Sequence, residues 1–348
     1  MDINSEQIRT ISKDAIHLVI LIGLVVALLF AFSMFTRCSA VPIPGWCDIY
    51  WGVLKMDNGG NPKVLIVYGD GGLGDHELLE DIFESPAHLG KSVTTKHIDG
   101  ISLGNLTKYD LVIVEEARRM GTDKIKMFID YANTAGKKLV WTGDAGSEAY
   151  NEDEYVYWDE YPGSDTNNHA VISPWIRKQG DDIISLEKLI GVRYLANYCD
   201  VKDCEDDEAP WIGTFSGSDR DHRLIKGIRE DLQMYGNFAI TDISDEGITT
   251  RILDVDFGSD LITKENVILG SAVIKDNQSH KEEAMGTKSS VNLGSLFPVI
   301  VSAGFGENVV YYSIPPELFA SDLMPLDDQG IIRKYYSLAE KMYYGMLY

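Results

Sequence analysis

Apolar and polar positions divide this chain into unlike parts. From Ala15 to Phe35, "AIHLVILIGLVVALLFAFSMF" runs for 21 residues without a formal charge. At ~1.5 Å rise per residue it spans a ~30 Å hydrocarbon core, which predicts a transmembrane helix. A tail of residues 1–14 precedes it. A cleaved signal peptide is the rival reading, but its apolar region is about 7–15 residues long, and no clean A-x-A site follows here. No second run of this length occurs, so the expectation is a single pass with nearly all the mass on one side.

Residues 36–61, with Pro42, Pro44 and "DNGGNP", read as a membrane-proximal neck. One α/β domain is expected from residue 62 to 348. "KVLIVYGD" is the continuous β-branched run of a central parallel strand, and "GGLGDHELLEDIF" then passes from glycines to a helical period. "SVTTKHID", "YDLVIVEEA" and "KKLVWTGD" predict three further strands. "TDKIKMFIDYANTAG" predicts a helix capped by Thr122 or Asp123 and closed by Gly136. Parallel neighbours need long crossovers, so this alternation predicts a flavodoxin-like, mostly parallel sheet with flanking helices, and ligands at its strand C-termini. That edge gathers Gly69 to Gly74, Glu115, Glu116 and Asp144, which makes Gly71, Gly72, Glu115, Glu116 and Asp144 the ligand-binding candidates.

From about residue 151 to 216 the periodicity breaks. "YNEDEYVYWDEYPGSDTNNH" and "CDVKDCEDDEAPW" read as an acidic insertion over the strand ends, with a helix around Ile184 to Leu189. Regular structure is expected again at "HRLIKGI" and "FAITDIS". "FPVIVSAGFGENVVYYSIPPELF" then predicts two strands joined by a glycine-containing turn. "QGIIRKYYSLAEKMYYGMLY" predicts a closing helix.

The formal net charge of −23, from 54 acidic and 31 basic residues, argues against broad contact with nucleic acid. Arg9 and Lys13 before the span against Arg37 after it place the N-terminus in the cytoplasm and the large domain outside. The four cysteines fit an oxidising side: Cys38 and Cys47 flank a short segment past the membrane, and Cys199 and Cys204 lie close together, although four cysteines allow three pairings. A metal site at Cys199 and Cys204 lacks further ligands nearby, and no cofactor is expected. Asn105 and Asn277 begin possible glycosylation tripeptides.

Candidate chemistry centres on "LVWTGDAGSEAY". Thr142-Gly143-Asp144-Ala145-Gly146 has the small flanking residues that a nucleophile elbow needs, with Asp at its centre. An Asp nucleophile needs a His to activate water. His76, after the glycine-rich loop, and His169, in the insertion, are the candidates; His88 and His97 read as surface or sheet edge. The favoured alternative is that Asp144 caps a helix following it. "GDGGLGD" matches neither phosphate-binding glycine frame and carries flanking Asp70 and Asp75, so it reads as a structural turn. Asp254 to Glu265 partly imitates a calcium loop but lacks its sixth-place glycine, and reads better as a strand.

On these motifs the chain resembles the class I glutamine amidotransferase-like superfamily, over roughly Pro62 to Met324 with the insertion outside the resemblance. "TGDAG" stands where working members carry a G-x-C-x-G elbow, so Asp144 replaces the thiol nucleophile. Their catalytic turn resembles "Q-F-H-P-E"; here it is Ser313-Ile314-Pro315-Pro316-Glu317, with Pro315 at the His place and Glu317 at that of the acid. "HRLIKGI" and "FGENVVYYSIPPE" also resemble stretches of noncatalytic or sugar-related members. The resemblance implies a noncatalytic domain of flavodoxin-like fold. The expectation is a membrane-anchored binding or scaffolding subunit, held in the lipid bilayer through residues 15–35 and joined to protein partners. The alternative is a tethered hydrolase using Asp144.

Overall fold

The structure is a computed structural model describing residues 5–35, 46, 62–84, 93–157, 160, 171–202, 204, 211–217, 221–225, 233–245, 247–259, 262–265, 290–320, 342–343 and 345–347. The neck, Cys38, Cys47, His88, His169, His280, the Asn277 tripeptide and most of the expected closing helix lie outside these residues. The chain divides into two compact units, residues 1–62 with 83–92, and residues 63–82 with 93–348.

In the first unit, α1 (Ser5–Phe35) contains Asp14–Phe32, a 19-residue stretch long and apolar enough to cross a membrane, with none of it buried against the described residues. A signal sequence passes the same test of length and composition.

The second unit is built on strands β1 (Val64–Tyr68), β2 (Val93–His97), β3 (Leu111–Val114) and β4 (Lys138–Thr142). Between them come α2 (His76–Glu84), the single turn α3 (Leu103–Leu106) and α4 (Thr122–Ala132). Leu111 to Val114 are all buried, as expected of a strand covered on both faces. On α4, Ile125, Phe128, Tyr131 and Ala132 turn inward, and Phe128 meets Trp141 edge-on with centroids 5.5 Å apart. The helix N-cap is Gly121 rather than Thr122 or Asp123. Thr122 is instead the first helical residue, and Glu154 accepts from both its N–H and its hydroxyl at 2.7 Å.

The insertion folds as a hairpin of β5 (Ile176–Gln179) and β6 (Asp182–Ser185), then α5 (Glu187–Ile190), β7 (Val192–Asn197) and α6 (Tyr198–Val201). The helix expected around Ile184 to Leu189 is thus one turn behind a strand. After it come β8 (Trp211–Gly217), β9 (Gln233–Tyr235), β10 (Ala239–Ile243), β11 (Thr249–Asp256), β12 (Ile262–Glu265), β13 (Ser290–Gly294), β14 (Leu296–Ala303) and β15 (Val309–Tyr312). His222 to Ile225, expected to be regular, form turns. β7 pairs antiparallel with β10.

The main sheet has nine strands in the order β2-β1-β3-β4-β15-β14-β11-β8-β9. Its first five strands are parallel and follow the flavodoxin-like 2-1-3-4-5 arrangement, with β15 as the fifth. The expected parallel sheet is thus present in the strands from β2 to β15, and an antiparallel extension continues it from β15 outward. For the first of these pairs the cause is local: β14 and β15 are joined by the tight Gly304 to Asn308 turn, and so short a connection admits only antiparallel neighbours.

Candidate functional site

The C-terminal ends of β1, β3 and β4 converge on the turn at Asp144. Gly143 and Gly146 take positive φ, at 55° and 70°, while Asp144 does not. No α-helix follows this turn directly, so Asp144 has no helix of its own to cap. The turn is instead tied from all sides. Tyr311 Oη donates to the Gly143 carbonyl at 3.0 Å, and Trp141 and Trp175 Nε1 both donate to that of Ala145 at 2.9 Å. Arg177 donates to the Gly146 carbonyl at 3.0 Å.

The Asp144 carboxylate is only 1% exposed. Its Oδ1 accepts the Leu73 N–H at 2.8 Å and its Oδ2 the Asn197 amide at 2.7 Å, with Arg118 Nε 3.8 Å from Oδ2. One side chain thereby joins the glycine-rich loop after β1, the turn after β4 and the end of β7. Burial lowers the Arg118 pKa, but Glu148, Asp144, Tyr194 and Asp200 outweigh it, so the guanidinium ends above its ordinary value. No histidine bonds Asp144 among the described residues. Gly72 shows how closely the loop is drawn in: at φ 116°, a Cβ there would lie 2.9 Å from Asp144 Oδ1.

Behind β3, Glu115 and Glu317 form a fully buried acid pair. Burial, then the charge of Glu317, pushes the Glu115 carboxyl well above the usual carboxylate range. Burial also raises Glu317, against hydrogen bonds from Glu115 and Tyr343 that pull it down. Neither Glu115 oxygen meets a hydrogen-bond partner when both acids are ionised, so burial beside Glu317 favours the protonated form of Glu115. Tyr343 Oη donates to Glu317, tying the last residues to this pair. Glu317, the acid of the resembling catalytic turn, is therefore partnered by an acid and a tyrosine.

The next residue, Glu116, is at φ 47°, a left-handed conformation costing a non-glycine residue roughly 1–2 kcal/mol. It is held there because its N–H donates to the Leu73 carbonyl at 2.9 Å and its own carbonyl accepts the Gly69 N–H at 3.1 Å. The conformation aims its carboxylate at His76, with Nδ1 2.6 Å from Oε2. Tyr68 stacks flat on the imidazole, centroids 3.8 Å apart and planes 4° from parallel. His97, at the end of edge strand β2, lies between Asp70 and Asp99.

The structure thus brings Asp144 to the glycine-rich loop, Glu115 to Glu317, and Glu116 to His76; it does not bring Asp144 to His76. Gly71 and Gly72 are exposed at the loop surface. Cys199 and Cys204 are disulfide-bonded, with Cα atoms 5.3 Å apart. Asp254 is paired with Arg251 in β11, and no cluster of three metal-ligating acidic, histidine or cysteine residues occurs among the described residues. Sequence reading missed Asn197, Trp175 and Arg177, the insertion residues that close over the turn, as well as Tyr68 and Tyr343. Only Tyr68 carried a local signal, an aromatic ending a strand at the ligand edge.

No family model matches this chain, and no curated protein does. Solved structures with related outlines include a ThuA-like protein from Bacteroides uniformis, 13% identical, covering 79% of this chain and 89% of that one at a TM-score of 0.41. A GMP synthase component from Thermoplasma acidophilum is 9% identical, with 81% and 96% covered and a TM-score of 0.38. A glutamine amidotransferase is 13% identical, with 79% and 98% covered and a TM-score of 0.30. Likenesses at TM-scores below 0.5 fix neither family nor function.

Proposed function

We propose that this chain is a single-pass membrane protein whose α/β domain serves as a binding subunit of a membrane or cell-surface complex, with the Asp144 turn acting as a structural node. One observation carries the reading: both oxygens of the Asp144 carboxylate are engaged inside the protein, where an incoming electrophile has no access. A nucleophile must present a free lone pair to substrate and have a base in reach. The apolar α1 supports anchorage, and the Cys199–Cys204 bond supports an oxidising, extracytoplasmic setting for the domain.

Carbodiimide labelling of carboxylates on the folded full-length chain, read by mass spectrometry, tests the node. Asp70 and Asp99 are expected to label and Asp144 to stay unmodified until the chain is denatured; labelling of native Asp144 at the rate of Asp70 contradicts the reading. Alkaline extraction of membranes from expressing cells tests the anchor. Retention in the pellet with residues 15–35 intact supports it, and a released chain beginning after the apolar run identifies a cleaved signal.

A further inference from the structure

We propose that His76 and Glu116 form a general-base pair able to activate water against an ester that carries no negative charge. The proposal goes beyond the binding reading and does not involve Asp144. Four observations meet at this pair. His76 Nδ1 and Glu116 Oε2 are 2.6 Å apart, the geometry in which an Nδ1–H held by a carboxylate leaves Nε2 as the bare, proton-accepting nitrogen. Nε2 makes no hydrogen bond among the described residues, and the two side chains are 22% and 29% exposed, so the imidazole reaches solvent. The flat stack on Tyr68 fixes the ring plane. Finally, Glu116 is one of two non-glycine residues with positive φ among those described, and this backbone conformation, after β3, is what turns its carboxylate onto His76.

Position agrees with geometry. β1 and β3 are the neighbours between which the strand order of the parallel half reverses, and crevices at such points are where open α/β sheets hold ligands. Tyr68 ends β1, and Glu116 follows β3 by two residues.

The step balances with water alone. Nε2 takes a proton from water as the water oxygen bonds to the acyl carbon and the carbonyl pair moves to oxygen. When the tetrahedral adduct collapses, the bond to the alkoxy oxygen breaks, and Nε2–H returns the proton to the departing alkoxide. Asp70, 89% exposed, and Asp99, 70% exposed, both face His97, whose ring meets Tyr68 edge-on with centroids 5.3 Å apart; this negative charge to one side of the pair selects neutral or cationic substrates over anionic ones.

The test uses the full-length chain in detergent with p-nitrophenyl acetate as the probe. The wild type is expected to hydrolyse it above the rate of an equal concentration of free imidazole, with a solvent deuterium effect from the proton transfer. His76→Gln should lose about 100-fold or more of the enzymatic rate, the lower end of what a positioned base supplies. Glu116→Gln should lose about tenfold and change the deuterium effect, which loss of a merely structural contact would not do. Because either change could disturb the fold, His76→Gly with added imidazole is the companion variant, and restored hydrolysis is expected. The anionic ester mono-p-nitrophenyl succinate should react more slowly than the acetate relative to free imidazole. Equal rates for wild type and His76→Gln overturn the proposal, and equal relative rates for the two esters overturn its substrate class.

Discussion

Replacing Glu115 by Gln perturbs the buried acid pair while keeping the size and shape of the side chain. In the wild type the pair retains a proton at pH values where an ordinary Glu, titrating near ~4.3, has lost it. A carboxyl whose folded pKa is raised contributes stability that is fully present below its unfolded pKa and is lost as pH rises through the folded value. Between those limits the folded state holds about one proton more than the unfolded state, so stability falls by ~1.4 kcal/mol per pH unit. The groups acting on Glu115 are Glu317, Glu116 and Asp75, all of which raise it further. In Glu115→Gln the amide donates to Glu317 at every pH, and Tyr343 still donates to the other side. Urea unfolding of the detergent-solubilised full chain, followed by tryptophan fluorescence, should show the variant gaining on the wild type as pH rises above the ordinary carboxylate range. Parallel stability profiles for the two proteins would refute the raised Glu115 carboxyl.

Other expectations follow from single contacts. Glu116→Gly should be more stable than Glu116→Ala by about 1 kcal/mol in the same unfolding assay, because both lose the His76 pair and only glycine relieves the left-handed strain. Gly72→Ala should destabilise by roughly 1–3 kcal/mol, since it combines an unfavourable φ with a contact against the Asp144 carboxylate, and its urea midpoint should fall accordingly. Replacing Cys199 and Cys204 by Ser opens a loop of sequence separation five, for which the loop-entropy estimate is about 2 kcal/mol. Reduction of the wild type should lower the urea midpoint equally.

Local physics made the parallel half of the sheet readable. β1, β3 and β4 are covered on both faces, so each appears as an uninterrupted apolar run, and α4 shows its inward residues at helical spacing. The outer, antiparallel half could not be placed the same way, because the pairing of β11 with β8 and β14 depends on partners distant in sequence. The site divides likewise. Glu115, Glu116, His76 and Asp144 stood out as polar groups at strand ends, yet their pairings did not, since His76 and Glu116 are 40 residues apart and Asp144 and Asn197 are 53 apart. Small flanking residues made Asp144 look like the centre of a reactive elbow. The same residues permit the close approach of the glycine-rich loop that seals it. Sequence pattern marks a tight turn and leaves open whether its central side chain faces a substrate or the protein itself.

A double-mutant cycle on Asp144 and Asn197 tests the structural node most directly. Asp144→Ala, Asn197→Ala and the pair together would be unfolded in urea as full-length chains. A buried amide donating to a carboxylate predicts a coupling of about 1.5–3 kcal/mol, because the first substitution already removes most of what the second would cost. Additive losses, with coupling within about 0.5 kcal/mol of zero, would contradict the node and return Asp144 to the candidates for a reactive carboxylate.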